Sequence, residues 1–271
     1  LRPADETSRT GIYYRYSKTR SLKEMQPLLR HCPNIAIWDD HDYGPNNADR
    51  GYYLKDVSIE AFGDFWPNPT LGVPGVEGGI TTKFQWGDVE FFLLDNRYHR
   101  ANNDRRSGSR GILGAKQLEW LIDNLKFSKA SFKLVAIGGQ VLNPIRKYET
   151  HQNIAPGERR AMLEMIKEED IKGVIFLTGD RHHTELSLLA EEGEEKMYDL
   201  TVSPLTSSAH DAEDEENTLR VEDTYVGVRN FATLDFAGKY GKRTMTITIW
   251  DSNGTQLWQR EISQKEWEAD E

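Results

Sequence analysis

Two stretches of this chain deliver acids and imidazoles directly after apolar runs of strand type. The first is Ile35-Ala36-Ile37-Trp38-Asp39-Asp40-His41-Asp42-Tyr43-Gly44-Pro45-Asn46-Asn47. Carboxylates, one histidine and two asparagines follow one another where the apolar run stops. Strand ends in layered α/β proteins are where a rigid backbone hands side chains to a site. Oxygen-rich ligands with one imidazole suit a hard or borderline metal ion. Asp-Tyr-Gly-Pro-Asn alone would satisfy an ordinary capped turn, but such a turn has no need of the Asp-Asp-His before it.

The second stretch, Gly173-Val174-Ile175-Phe176-Leu177-Thr178-Gly179-Asp180-Arg181-His182-His183, repeats the pattern. Residues i and i+2 of a strand face the same way, so Asp180 and His182 are expected to point together into one site. Gly179 lets the backbone come close to whatever sits there. His183 is either a further substrate contact or a surface residue.

The elements that must position these residues alternate through the middle of the chain. Strands are expected at 35–38, 81–86, 89–94, 132–137 and 174–177, the pair at 81–86 and 89–94 joined by a Gly87-Asp88 hairpin turn. Helices are expected at 22–29, 56–65, 113–125 and 157–168, the third with Leu118, Leu121, Ile122 and Leu125 on one face. After residue 184 the pattern turns all-β, at 196–201, 232–236, 244–250 and 256–262, with Asp251-Ser252-Asn253-Gly254 as a hairpin loop. Residues before the first helix read as a polar lead-in. The alternation favours a mixed α/β layered fold in one domain, residues 1–271.

Bulk composition narrows the function classes. The 34 basic and 44 acidic residues give a net charge of −10, which disfavours a nucleic-acid-coating surface. The acidic runs at 191–195 and 211–216 read as a solvated loop tip and an insertion. The single cysteine, Cys32, allows no internal disulfide and is expected to be a buried, inert thiol. No run approaches the roughly 20 apolar residues of a membrane helix. The chain opens on Leu1 in polar text, which reads as the C-terminal portion of a longer precursor.

Taken together, several motifs resemble the PhoD-like alkaline phosphatases, a branch of the calcineurin-like metallophosphatases. They are Trp38-Asp39-Asp40-His41-Asp42 with Asn46-Asn47; Phe91-Phe92-Leu93-Leu94-Asp95-Asn96-Arg97; Leu113-Gly114 with Gln117 and Trp120-Leu121; Gly139-Gln140; Gly179-Asp180-Arg181-His182; and Ser203-Pro204-Leu205-Thr206. The resemblance covers most of residues 11–236. It implies a four-layer αββα sandwich with a β-rich C-terminal part, and a metal centre at strand ends that uses iron with calcium. It also implies an exported protein.

Carried over residue by residue, the resemblance makes Asp40, Asn47, Asp180 and His182 metal ligands and His41 the general acid, with Asp39 supporting His41 or a ligand. Arg97, Arg181, Gln140 and His183 become substrate contacts, though for Arg97 an ion pair with Asp95 is an equal reading. Gln140 is expected on the same rim, because Gly138-Gly139-Gln140 ends the strand that should neighbour the one at 174–177. The implied reaction is metal-assisted hydrolysis of a small phosphate mono- or diester. The rival readings are an inactive metal-binding scaffold on the same fold and a nuclease, the latter disfavoured by the charge.

One departure is plain: the superfamily's opening metal motifs have no match in residues 1–30. An upstream segment of the precursor is therefore an expected partner, covering the strands near 35–38 and 174–177.

Overall fold

The structure is a computed structural model that describes residues 8–190 and 196–267. The chain divides into two compact units, residues 1–83 with 93–120, and residues 84–92 with 121–271. The acidic run at 191–195 lies outside the described residues.

The first unit is helical. Helix α1 (Arg9–Arg20) starts at Ser8, whose side chain accepts the Gly11 amide at 3.1 Å. It occupies part of the expected polar lead-in, and the sequence signal is faint because only Ile12 and Tyr16 (i and i+4) are buried. They pack with Ala61 of α4 (Lys55–Phe65), and the Tyr16 ring stacks on Phe65 at 5.1 Å. The short α2 (Gln26–His31) buries no residue, and Cys32 just beyond it is exposed, not buried. A second cluster gathers Trp38, Tyr43, Tyr52, Phe62 and Ile80.

No strand forms at 35–38. The segment is extended, but a side chain takes the place of a neighbouring strand: Asn68 Oδ1 accepts the Ala36 amide at 3.0 Å and Asn68 Nδ2 donates to the Ala36 carbonyl at 2.7 Å. The following turn is a short helix, α3 (Asp40–Tyr43), with Asp39 at its N-cap.

The second unit holds the sheets. Strands β1 (Thr82–Trp86), β2 (Val89–Leu93), β3 (Phe132–Ala136), β4 (Val174–Thr178), β5 (Glu185–Leu189) and β6 (Met197–Thr201) form one sheet in the order β1-β2-β3-β4-β6-β5. The long hairpins β7 (Asn230–Lys239), β8 (Lys242–Asp251) and β9 (Gln256–Ser263) form a three-stranded antiparallel sheet. One apolar core joins the two sheets: Phe132, Leu134, Ile175, Leu186 and Leu200 from the first pack with Met245, Ile247, Ile249, Trp258 and Ile262 from the second. Helix α5 (Ala115–Phe127) follows β2, and α7 (Pro156–Glu168), which buries Met162, Leu163 and Ile166, leads into β4.

Strands β3, β4 and β6 run parallel, with Ala136 beside Leu177 and Thr178 beside Thr201; β5 returns antiparallel, with Glu185 beside Thr201. The C-terminal ends of three parallel strands and the start of β5 therefore share one end of the sheet, where α/β proteins build sites. Strand β5 had no place in the sequence expectation. Both edges of β4 are paired within the chain, with β3 on one side and β6 on the other.

Candidate metal centre

In the first unit, α3 carries the Asp39-Asp40-His41 motif. Asp40 is buried, and its two oxygens staple its own loop: Oδ1 accepts the His41 amide at 2.8 Å and Oδ2 the Asn47 amide at 2.9 Å. A carboxylate oriented in this way keeps lone pairs for a cation. Asn47 holds a left-handed backbone (φ 58°), which asparagine tolerates better than most residues. His41 and Asn47 are exposed.

Asp39 is gripped from the 95–97 segment. Asn96 Nδ2 donates to Asp39 Oδ1 at 2.8 Å, and the Arg97 guanidinium places Nε and Nη2 on the same oxygen, each at 2.5 Å. The Arg97 side chain is fully buried with its ion pair on Asp39, and its backbone amide donates to Asp95 Oδ1 at 2.8 Å. Asp95 is a fully buried hub. Its Oδ1 also accepts the Trp38 indole N–H and the Tyr98 amide at 2.9 Å each, and Oδ2 accepts the Ile80 amide at 3.0 Å. Gly79 permits that approach, since a Cβ there would lie 2.5 Å from Asp95 Oδ2. Gln117 closes the arrangement, accepting the Asp95 amide and donating to the Asp95 carbonyl, both at 2.8 Å.

In the second unit, β4 ends at Thr178, and Asp180 and His182 both lie beyond it in the left-handed region (φ 59° and 57°). The strand argument for a shared face therefore does not apply. Left-handed backbone at a non-glycine residue is uncommon and gathers at functional sites. The His182 Nδ1–H donates to the Ser208 carbonyl at 2.7 Å, which makes Nε2 the ring nitrogen through which a metal could be bound.

Three expected substrate contacts are instead interior. Arg181 is buried, ion-paired with Glu215 and donating to the Tyr148 carbonyl at 3.1 Å. Glu215 belongs to the 211–216 run, so that run is not merely a solvated insertion. His183 is fully buried, its Nδ1–H on the Arg181 carbonyl and its Nε2 3.6 Å from Glu185 Oε1. Gln140 lies at the expected end of the sheet but is buried there: its amide donates to Glu185 Oε1 at 2.7 Å and to Thr201 Oγ1 at 2.9 Å.

These bonds belong to a polar network that residue-by-residue reading missed, because β5 was not recognised. Glu185 also accepts Asn143, Asn217 and Arg220. Burial alone would raise its carboxyl; His183 and Arg220 outweigh that and hold it at about 2. Asp199 accepts the Val141 and Leu142 amides and the Thr178 hydroxyl, yet burial, aided by the charge on Glu185, pushes it up to about 6. Thr178 bonds Thr201 at 2.9 Å and thereby joins the two carboxylates' surroundings.

Fold comparison sets the class. A solved structure of PhoD matches with a TM-score of 0.75 at 18% identity, covering 97% of this chain and 61% of that one. A purple acid phosphatase from yellow lupin seeds matches with a TM-score of 0.52 at 14% identity, covering 84% and 38%. The fold is that of the metallophosphatases, the αββα class expected from the motifs. The PhoD-like phosphatase family model matches residues 4–253, and the chain belongs to that family. Alkaline phosphatase D of Bacillus subtilis is 26% identical over 200 residues, covering 62% of this chain. The match spans 34% of that relative's own length, so this chain corresponds to about a third of it.

Proposed function

We propose that the protein containing this chain hydrolyses phosphate esters, monoesters or diesters, at a metal centre whose ligands include Asp40, Asn47, Asp180 and His182. Membership of the PhoD-like family carries the reading, and the Nε2 of His182 and the stapled carboxylate of Asp40 support it. Oxygen donors with one imidazole fit hard or borderline ions, which favours iron with calcium. When bound, such ions supply positive charge for the phosphoryl oxygens.

The chain's own residues do the rest. Asp40 holds the 40–47 loop closed through the two amide bonds described above. His41, exposed at that loop, protonates the leaving alkoxide, an effect worth about 10²–10⁴-fold. Asp39 fixes the start of α3. The proposed partners are a small phosphate ester and the precursor's upstream segment, in an exported protein. No described helix is long and apolar enough to cross a membrane.

The test is hydrolysis of p-nitrophenyl phosphate and bis-p-nitrophenyl phosphate by the whole protein. Activity should vanish with chelator, return with iron and calcium, and fall about 10²–10⁴-fold in His41→Ala. Hydrolysis indifferent to chelator would sink the proposal.

A further inference from the structure

Arg97 invites a phosphate-binding role, since a guanidinium fork matches phosphate oxygens. Its surroundings give it another. The side chain is fully buried, and two of its nitrogens converge on one carboxylate oxygen, Asp39 Oδ1, beside the Asn96 amide. Two of the guanidinium nitrogens, Nε and Nη2, are thus engaged by a neighbour inside its own unit.

Asp39 is the residue from which α3 departs, with Asp40 and His41 next in line. Its partner, the 95–97 segment, is itself rigid. Asp95 ties that segment to Trp38, the residue before Asp39, through the indole N–H at 2.9 Å, and to Ile80 at 3.0 Å. Two adjacent residues, Trp38 and Asp39, are thus each bonded to the Asp95-Asn96-Arg97 segment. The entry to α3 is clamped at two points, while His41 itself remains exposed.

We infer that Arg97 is a positioning residue. Acting through Asp39, it fixes the orientation of the turn that presents Asp40 and His41. The inference rests on the functional reading above, with its geometry wholly within the first unit. Lysine is a poor substitute, because a single ammonium lacks the planar pair of N–H groups that meet Asp39 Oδ1.

The experiment is a double-mutant cycle in the whole protein with Arg97→Gln, Asp39→Asn and the pair, plus Arg97→Lys. It is read by thermal unfolding and by kcat, KM and inhibition by inorganic phosphate. Each single variant should lower kcat by about 10–100-fold, the range for residues that orient a metal's ligands. KM and phosphate inhibition should change little, the double variant should be no worse than the worse single one, and Arg97→Lys should fail to rescue. A raised KM with weakened phosphate inhibition and unchanged kcat would return Arg97 to substrate binding. Unchanged kcat and KM in the folded fraction, with stability alone reduced, would make the pair merely structural. Additive effects on unfolding would overturn the coupling even if the wild-type protein hydrolyses nothing, an outcome that would separately sink the functional reading.

Discussion

The 39–47 rim and the 180–183 rim carry similar residues but are built by different means. In the first, an extended segment with no strand partner is held by side chains reaching to it: Asn68 on Ala36, Asp95 on Trp38, Arg97 on Asp39. In the second, backbone in a sparsely populated conformation leaves a fully paired strand and rests on a buried carboxylate network centred on Glu185 and Asp199. Both rims pin a buried arginine to an acid, Arg97 to Asp39 and Arg181 to Glu215. The comparison teaches that an Asp-x-His pattern specifies what a rim offers and says little about what holds it.

The contrast can be broken hardest at Glu185. Removing a buried, multiply bonded carboxylate leaves Arg220 and His183 facing an apolar gap, so Glu185→Ala should cost about 3–5 kcal/mol in thermal or urea unfolding. A loss below about 1 kcal/mol would mean that the second rim does not rest on this network.

The two carboxylates should also titrate stability in opposite senses. Glu185 is held low, at about 2, so its contribution is present above the usual carboxylate range and is lost as pH falls toward 2. Asp199 is raised from 3.8 to about 6, so its contribution is present below pH 4 and is lost as pH rises through 6. Each pH unit separating those two values is worth about 1.4 kcal/mol, so the loss amounts to about 3 kcal/mol. Asp199→Asn should therefore gain on the wild type by up to that amount between pH 4 and 7.5, read as the difference in Tm across the range. A difference constant with pH would contradict the assignment.

A smaller effect is expected in the first unit. Asn68→Ala strips both partners from the Ala36 peptide and should cost about 1–3 kcal/mol, while Asn68→Gln, one methylene too long, should recover little of it. If Asn68→Ala leaves unfolding unchanged, the side-chain bridge does not stand in for a strand.

Smallest of all, Asp180→Gly relieves left-handed backbone and should raise stability by up to about 1 kcal/mol while abolishing hydrolysis. A destabilised Asp180→Gly would remove backbone strain from the description of the second rim.

Much of this was legible in the sequence. The alternation of elements, the strands at 132–136 and 174–178, and the parallel neighbourhood of those two follow from apolar runs with turn residues at their ends. The resemblance located both rims. What escaped has a physical cause in each case. The strand expected at 35–38 has the right composition, but pairing depends on a distant asparagine amide, which no local pattern encodes. Strand β5, Glu185–Leu189, opens on a buried glutamate, a residue that periodicity scores as exposed. Arg97, Arg181, Gln140 and His183 suit phosphate by type; their burial, and the bonds each makes to other side chains or backbone, could not be read from type. Cys32 followed an apolar helix too short to bury it.

The proposed function stands on Asp40 and Asp180 both acting as metal ligands, and metal content tests that most directly. Purified whole protein, with Asp40→Asn and Asp180→Asn variants prepared alongside, would be analysed for iron and calcium by inductively coupled plasma mass spectrometry, with folding checked by circular dichroism. The expected result is that each substitution lowers bound metal and hydrolysis together. Full metal content in either folded variant would contradict the claim.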